Sequence, residues 1–272
     1  MPRSRKVASG AQAPGSGLRP HDRHAAGWTS VVAGLLVVTS ALTSTIGATA
    51  ATASTAGDRA LASQINMRRT DLPAGPQWAS SPSTPNPPGW VATSRKAIAC
   101  VQHAAGHALA VSPDPFGLGA GPVGDVTADV SSPTFAVKGP SQLPSASSEV
   151  VMTTTAMQAT ADLHALDTAS AVPCVKAVFQ AIFTSEHVPA GTKITIQPLT
   201  PPPLAPPLPR GGFRFSLSGP SFGDIKDEAF FYTVGRAELA LSFTTPGTSF
   251  RADWALSISQ KVVARAEALL GS

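Results

Sequence analysis

The feature that most constrains this sequence is its N-terminal leader. Arg3, Arg5, Lys6, Arg19 and Arg23 precede an apolar run from Val31 to Ile46, and Ala48-Thr49-Ala50 then supplies small residues where a signal peptidase cuts. A basic segment, an apolar segment and a small-residue site in that order make a secretory signal. The apolar run falls short of the roughly 20 residues that span a bilayer, and serine and threonine interrupt it. Residues 1–50 therefore read as a signal peptide, with an uncleaved N-terminal anchor as the alternative. Basic charge ahead of the run keeps the N-terminus inside, so either reading carries the rest of the chain out of the cytoplasm. No cysteine follows the run closely, so there is no lipobox.

Removing the leader changes the charge argument. The chain has 20 basic and 16 acidic residues, and the five leader cations are opposed there only by Asp22, which leaves fifteen of each beyond it. The basic character belongs to the leader, and the remainder of the chain is neutral. That excludes the clustered cationic footprint that a nucleic-acid partner requires. Aromatic residues make up 6% of the chain and Tyr232 is the single tyrosine, which weakens any stacking platform for bases or sugars. At 43% hydrophobic, the chain has enough apolar material for a core.

Two cysteines are present, Cys100 and Cys174. An even pair in an exported chain favours a disulfide, and a bridge over so long a loop stabilises by roughly 4 kcal/mol on chain-entropy grounds. A catalytic thiol is the alternative, because His103 lies three residues from Cys100. Residues 51–57, rich in Ala, Thr, Ser and Gly, read as a flexible linker. Asp58 then reads as the cap of a short helix to Arg69. Strands are expected at 126–130, 135–138, 149–154, 193–197 and 213–217, and helices at 157–166 and 172–184. Ala229–Val234 and Ala237–Phe243 flank Gly235-Arg236, a compact hairpin. The last helix, about 249–270, sets Trp254, Ile258, Val262, Ala266 and Leu269 on one stripe. These elements make an α+β fold, an antiparallel sheet with helices packed on one face and one disulfide. No repeat is visible, so residues 58–272 read as a single exported domain.

Chemistry-bearing motifs are weak. Gly119, Gly121 and Gly124 match a dinucleotide fingerprint in letters, but Pro122 interrupts the loop and strand-type residues follow, where the motif needs a helix. His103 and His107 share a helix face, yet the glutamate that zinc proteases place after the first histidine is Ala104. There is no Gly-x-Ser-x-Gly elbow. His164 and His187 lie in no context resembling a catalytic triad. Asp224, Asp227 and Glu228 read as a solvated strand end. The prolines between Pro198 and Pro209 read as a stiff connection between strands. No catalytic, cofactor-binding or metal residue is assigned, and no cofactor is expected.

The order of features resembles a family. Leu72-Pro73-Ala74-Gly75 with Trp78 is followed by Arg95-Lys96-Ala97-Ile98-Ala99-Cys100. Ser147-Ser148-Glu149-Val150-Val151, Pro173-Cys174, Val234-Gly235-Arg236 and the C-terminal amphipathic helix complete it. The chain is similar to exported actinobacterial proteins grouped with the extracellular sensor domain of mycobacterial receptor Ser/Thr kinases, and to Mog1/PsbP-like mycobacterial lipoproteins. It departs from both, lacking a lipobox and carrying a single cysteine pair where the kinase domains have more than one disulfide. The resemblance implies an α+β domain that binds something in the cell envelope, and transfers no site residues. The expected function is an exported envelope binding or sensor-like module without catalytic activity. Its partner would be an envelope ligand or protein, with membrane contact only if the leader stays uncleaved. A protein–protein adaptor and an exported hydrolase with an unrecognised site are the alternatives. Mass spectrometry of the exported protein is expected to find a mature N-terminus near Ala51, whereas an intact leader in the membrane fraction would favour the anchor.

Overall fold

The computed structural model describes residues 51–82, 99–100, 103, 126–139, 141–166, 171–185, 191–220 and 223–271. The leader, His107, His187 and the glycines of the 119–124 run lie outside them. Helix α1 spans Ala51–Ile65, so the segment 51–57 expected as a linker forms its opening turns. Its alanines are the strongest helix formers available. Asp58, expected as a cap, lies inside this helix and is used elsewhere.

Eight strands follow among the described residues: β1 Trp78–Ser81, β2 Val126–Ser131, β3 Thr134–Val137, β4 Ser145–Thr153, β5 Lys193–Pro198, β6 Arg210–Gly219, β7 Gly223–Val234 and β8 Ala237–Pro246. Helices α2 (Ala156–Leu166) and α3 (Ala171–Ser185) separate β4 from β5, and α4 (Ala252–Leu270) closes the fold. The strands form one antiparallel sheet in the order β1-β3-β4-β8-β7-β6-β5, with β2 beside β3 on the same edge of β4. Strand β1 has too little alternation to be legible in the sequence; it adds Trp78 opposite Val137 at the sheet edge.

The long central hairpin sets the register. Gly235 turns with φ at +54°, an angle glycine takes without penalty, and Val234 pairs with Ala237 directly across the two-residue turn. Phe230, Tyr232, Val234, Leu239, Leu241 and Phe243 then share one face with Val150 and Met152 of β4. That face is the main core, buried under α1 and α4. The helix layer expected on one face is this pair. Helix α2 lies against the opposite face, where Leu163 and Leu166 meet Val151, Phe231 and Ala240, and α3 packs beside it against β5. All nine residues of β4 are consequently buried. Cys174 of α3 is bonded to Cys100, with Cα atoms 5.6 Å apart, which removes the catalytic-thiol alternative.

Polar anchors fix α1 and α4. The Asp58 carboxylate receives both terminal nitrogens of Arg236 and the hydroxyl of Thr127, while Arg236 also donates to the Thr153 carbonyl. Donation from Arg236 is the main reason the Asp58 carboxyl sits below its ordinary range. At the C-terminal end of α1 and just beyond it, Arg265 of α4 grips both carboxylate oxygens of Asp71 at 3.0 and 2.7 Å and donates to the Ile65 and Asn66 carbonyls.

The apolar stripe of α4 is buried at Ile258, Val262 and Ala266 as the spacing predicts. Leu269 differs, being 36% exposed. In the last turn it lies on the flank of the stripe, and Leu270 packs over Gly235 in its place. Trp254 is half-buried, its ring centroid 6.1 Å from those of Trp78 and Phe250, with the Arg251 guanidinium 4.4 Å from it on one face. Trp254→Ala is expected to lower stability by roughly 3 kcal/mol, at the low end for tryptophan truncation because the ring keeps some solvent contact. Chemical denaturation measures it, and an unchanged midpoint would mean the ring does not hold β1 to α4.

Candidate functional site

The proline-rich segment between β5 and β6 builds the larger of two notable cavities among the described residues. Its prolines cannot join a ladder, so the chain leaves the sheet after Pro198 and lies across the α4 side of β6 and β7. The Leu199 amide donates to the Gly212 carbonyl at 2.8 Å. The two backbones approach so closely that a Cβ on Gly212 would stand 2.5 Å from the Ala229 carbonyl oxygen and 3.0 Å from that of Leu199. Pro201 and Leu204 are buried, and the Tyr232 hydroxyl points at the Pro202 carbonyl at 3.5 Å. Burial pushes that phenol up to about 12.

Between this strap and the start of α4 lies an open groove of about 380 Å³, within the range of small-molecule sites. Leu199 and Pro201–Pro203 form one wall, and Phe250, Ala252 and Ala255 the other. Phe230, Arg210, Arg214 and Glu228 make the floor. Arg214 and Glu228 are cross-strand neighbours, and the arginine donates from Nε and Nη2 to one glutamate oxygen at 3.0 and 2.7 Å. Arg210 has no ion pair among the described residues, and its Nε is buried without a hydrogen-bond partner. The arrangement is a largely apolar slot with a few charged groups on its floor, Arg210 on one side of Phe230 and the Arg214–Glu228 pair on the other, suited to binding and orienting a ligand.

The opposite face of the sheet carries a second cluster. Glu149, Glu238 and Asp162 line a cavity of about 30 Å³ beneath α2, enough for a water or two. Burial, and then the charge of neighbouring Asp129, push the Glu149 carboxyl well above its ordinary range. No group of three or more histidine, cysteine or acidic side chains among the described residues is arranged to hold a metal ion. The cluster expected at a solvated strand end is corrected here as well. Asp224 is exposed, whereas Asp227 and Glu228 are buried on opposite faces of β7, Glu228 beside the strap. Ser242 and Thr244 donate to one oxygen of Asp227 at 2.9 and 3.1 Å, and burial still pushes the carboxyl up to about 7.

His103 and His164 are exposed, and neither lines either cavity. The groove residues Arg210, Arg214 and Phe250 were not singled out by sequence reasoning. The available signal was Gly211-Gly212 ahead of a strong strand, since glycine in a strand marks a close backbone approach.

No family model matches the chain, and no curated protein matches it. Among solved structures it is similar to the extracellular domain of PknH from Mycobacterium tuberculosis. That likeness covers 77% of this chain and 96% of that domain at 13% identity, with a TM-score of 0.42. At this level of likeness no residue assignment passes from one to the other.

Asp227 gives a pH test. Its folded pKa of about 7 lies above the ordinary 3.8, so between those values the folded state holds a proton that the unfolded state releases. This contribution is fully present below about pH 4, is lost as pH rises to about 7, and is constant above. Asp227→Asn is expected to gain stability over the parent on going from pH 4 to pH 8, by on the order of a few kcal/mol. Urea midpoints at the two pH values measure it; identical pH dependence in the two proteins would contradict the assignment.

Proposed function

We propose that this chain is an exported, sensor-like binding module of the cell envelope without catalytic activity, a single domain behind its leader, whose ligand seats in the groove between the proline strap and α4. The observation that carries the reading is the groove itself, with largely apolar walls and a few charged groups on its floor. The Cys100–Cys174 bridge supports a place outside the cytoplasm, in agreement with the leader. The hydrolase alternative wants a nucleophile with a base beside it, and the described lining offers hydroxyls at Thr200 and Ser249 with no histidine. The adaptor alternative wants a broad apolar patch, and the large exposed apolar side chains among the described residues are Met157 and Leu269, on separate helices.

The test is a thermal-shift screen of envelope lipids, peptidoglycan fragments and peptides, repeated on Ala252→Trp. Ala252 is exposed and lines the groove, so the larger ring fills the slot at little cost to folding. Ligands that stabilise the parent are expected to lose their effect on this variant. Hits that survive the substitution would move the site elsewhere, and turnover of any ester, peptide or glycoside would overturn the non-catalytic reading.

A further inference from the structure

We infer that the groove takes a singly charged amphiphilic anion, an apolar chain ending in a carboxylate, with the carboxylate held by Arg210. The inference rests on the groove reading above and adds the ligand's chemical class. Charge complementarity carries it. The floor presents two guanidinium groups and one carboxylate, and Glu228 is already engaged by Arg214 through two hydrogen bonds. One positive charge is left over, on Arg210, whose buried Nε has no hydrogen-bond partner. Arg210 lines the groove, and an arginine fork meets a carboxylate with two parallel hydrogen bonds.

The start of α4 does not supply the anion site, because the Asp253 carboxylate takes backbone amides at its own position and at Trp254. Asp253 is in turn neutralised by Arg251 at 2.6 Å. A monoanion balances Arg210, whereas a dianion brings one charge too many. Apart from the hydroxyls of Thr200 and Ser249, the rest of the slot is lined by proline, leucine, phenylalanine and alanine carbons, which contribute by covering an alkyl chain.

The experiment is isothermal titration of the full chain at pH 7.5 with dodecanoate, dodecanol, dodecyl phosphate and dodecyltrimethylammonium, all below their micelle concentrations. Dodecanoate is expected to bind about 10- to 100-fold more tightly than dodecanol, the worth of a charge-assisted hydrogen bond, and the cationic probe more weakly than either. Arg210→Gln is expected to remove the preference for dodecanoate over dodecanol. Arg210→Lys, which keeps the charge and loses the fork, is expected to fall between. Equal affinity for dodecanoate and dodecanol in the parent overturns the inference without needing a variant, and leaves the groove reading standing if Ala252→Trp still blocks both. Tighter binding of dodecyl phosphate than of dodecanoate overturns the carboxylate assignment. Dodecanoate binding that Ala252→Trp does not weaken overturns both readings.

Discussion

The two-residue turn at Gly235-Arg236 is the constraint on which the rest depends. With Val234 opposite Ala237, every second residue of β7 and β8 is assigned to one face, and a slip of one position would exchange the faces entirely. Glycine makes the turn possible, and Arg236 ties it down by reaching to Asp58 on α1 and to the end of β4. The turn that sets the register is therefore also the point where the first helix is fastened to the sheet. Arg265 of α4 holds Asp71 and the Asn66 carbonyl just beyond the C-terminal end of that helix, so the helical layer is tied at two points by half-buried charge pairs.

The sheet's two faces are chemically unlike. The face under α1 and α4 is filled by large apolar side chains, including a run of rings from Trp78 through Trp254, Phe250 and Phe243 to Phe230. The opposite face mixes Phe231 and Val151 with Glu149, Asp227 and Glu238. Of these, the buried Glu149 and Asp227 hold protons that solvent would strip from them, and each ties part of the stability to pH. The groove lies on the apolar side, at the end where the ring run reaches Phe250 and Phe230. The charged groups on its floor are strand arginines and a glutamate fixed by register.

Much of the fold was legible because alternation and helical spacing are local. Phe213, Phe215 and Leu217 announce β6, and Ile258, Val262 and Ala266 announce the buried side of α4. What stayed hidden depends on neighbours far along the chain. Asp58 looks like a helix cap in its own surroundings and becomes a tertiary anchor only once Arg236 is folded beside it. Asp227 looks solvated until the opposite face is covered, and β1 exists as a strand because β3 offers an edge. The groove was the least legible feature, since its floor, strap and far wall come from three segments whose meeting no spacing rule encodes. Gly212 was its one local trace.

The contact of Leu199 with Gly212 has a thermodynamic side. The strap is joined to the sheet by a backbone hydrogen bond at a place where no side chain separates them, and its prolines have few conformations to lose. One wall of the groove is thus ordered before anything arrives, and the other is a helix already docked on the core. A ligand entering such a slot does not have to organise it, so little of its contact energy is spent on protein entropy. A short proline segment in this position therefore sets in advance how far apart the two walls of the groove stand.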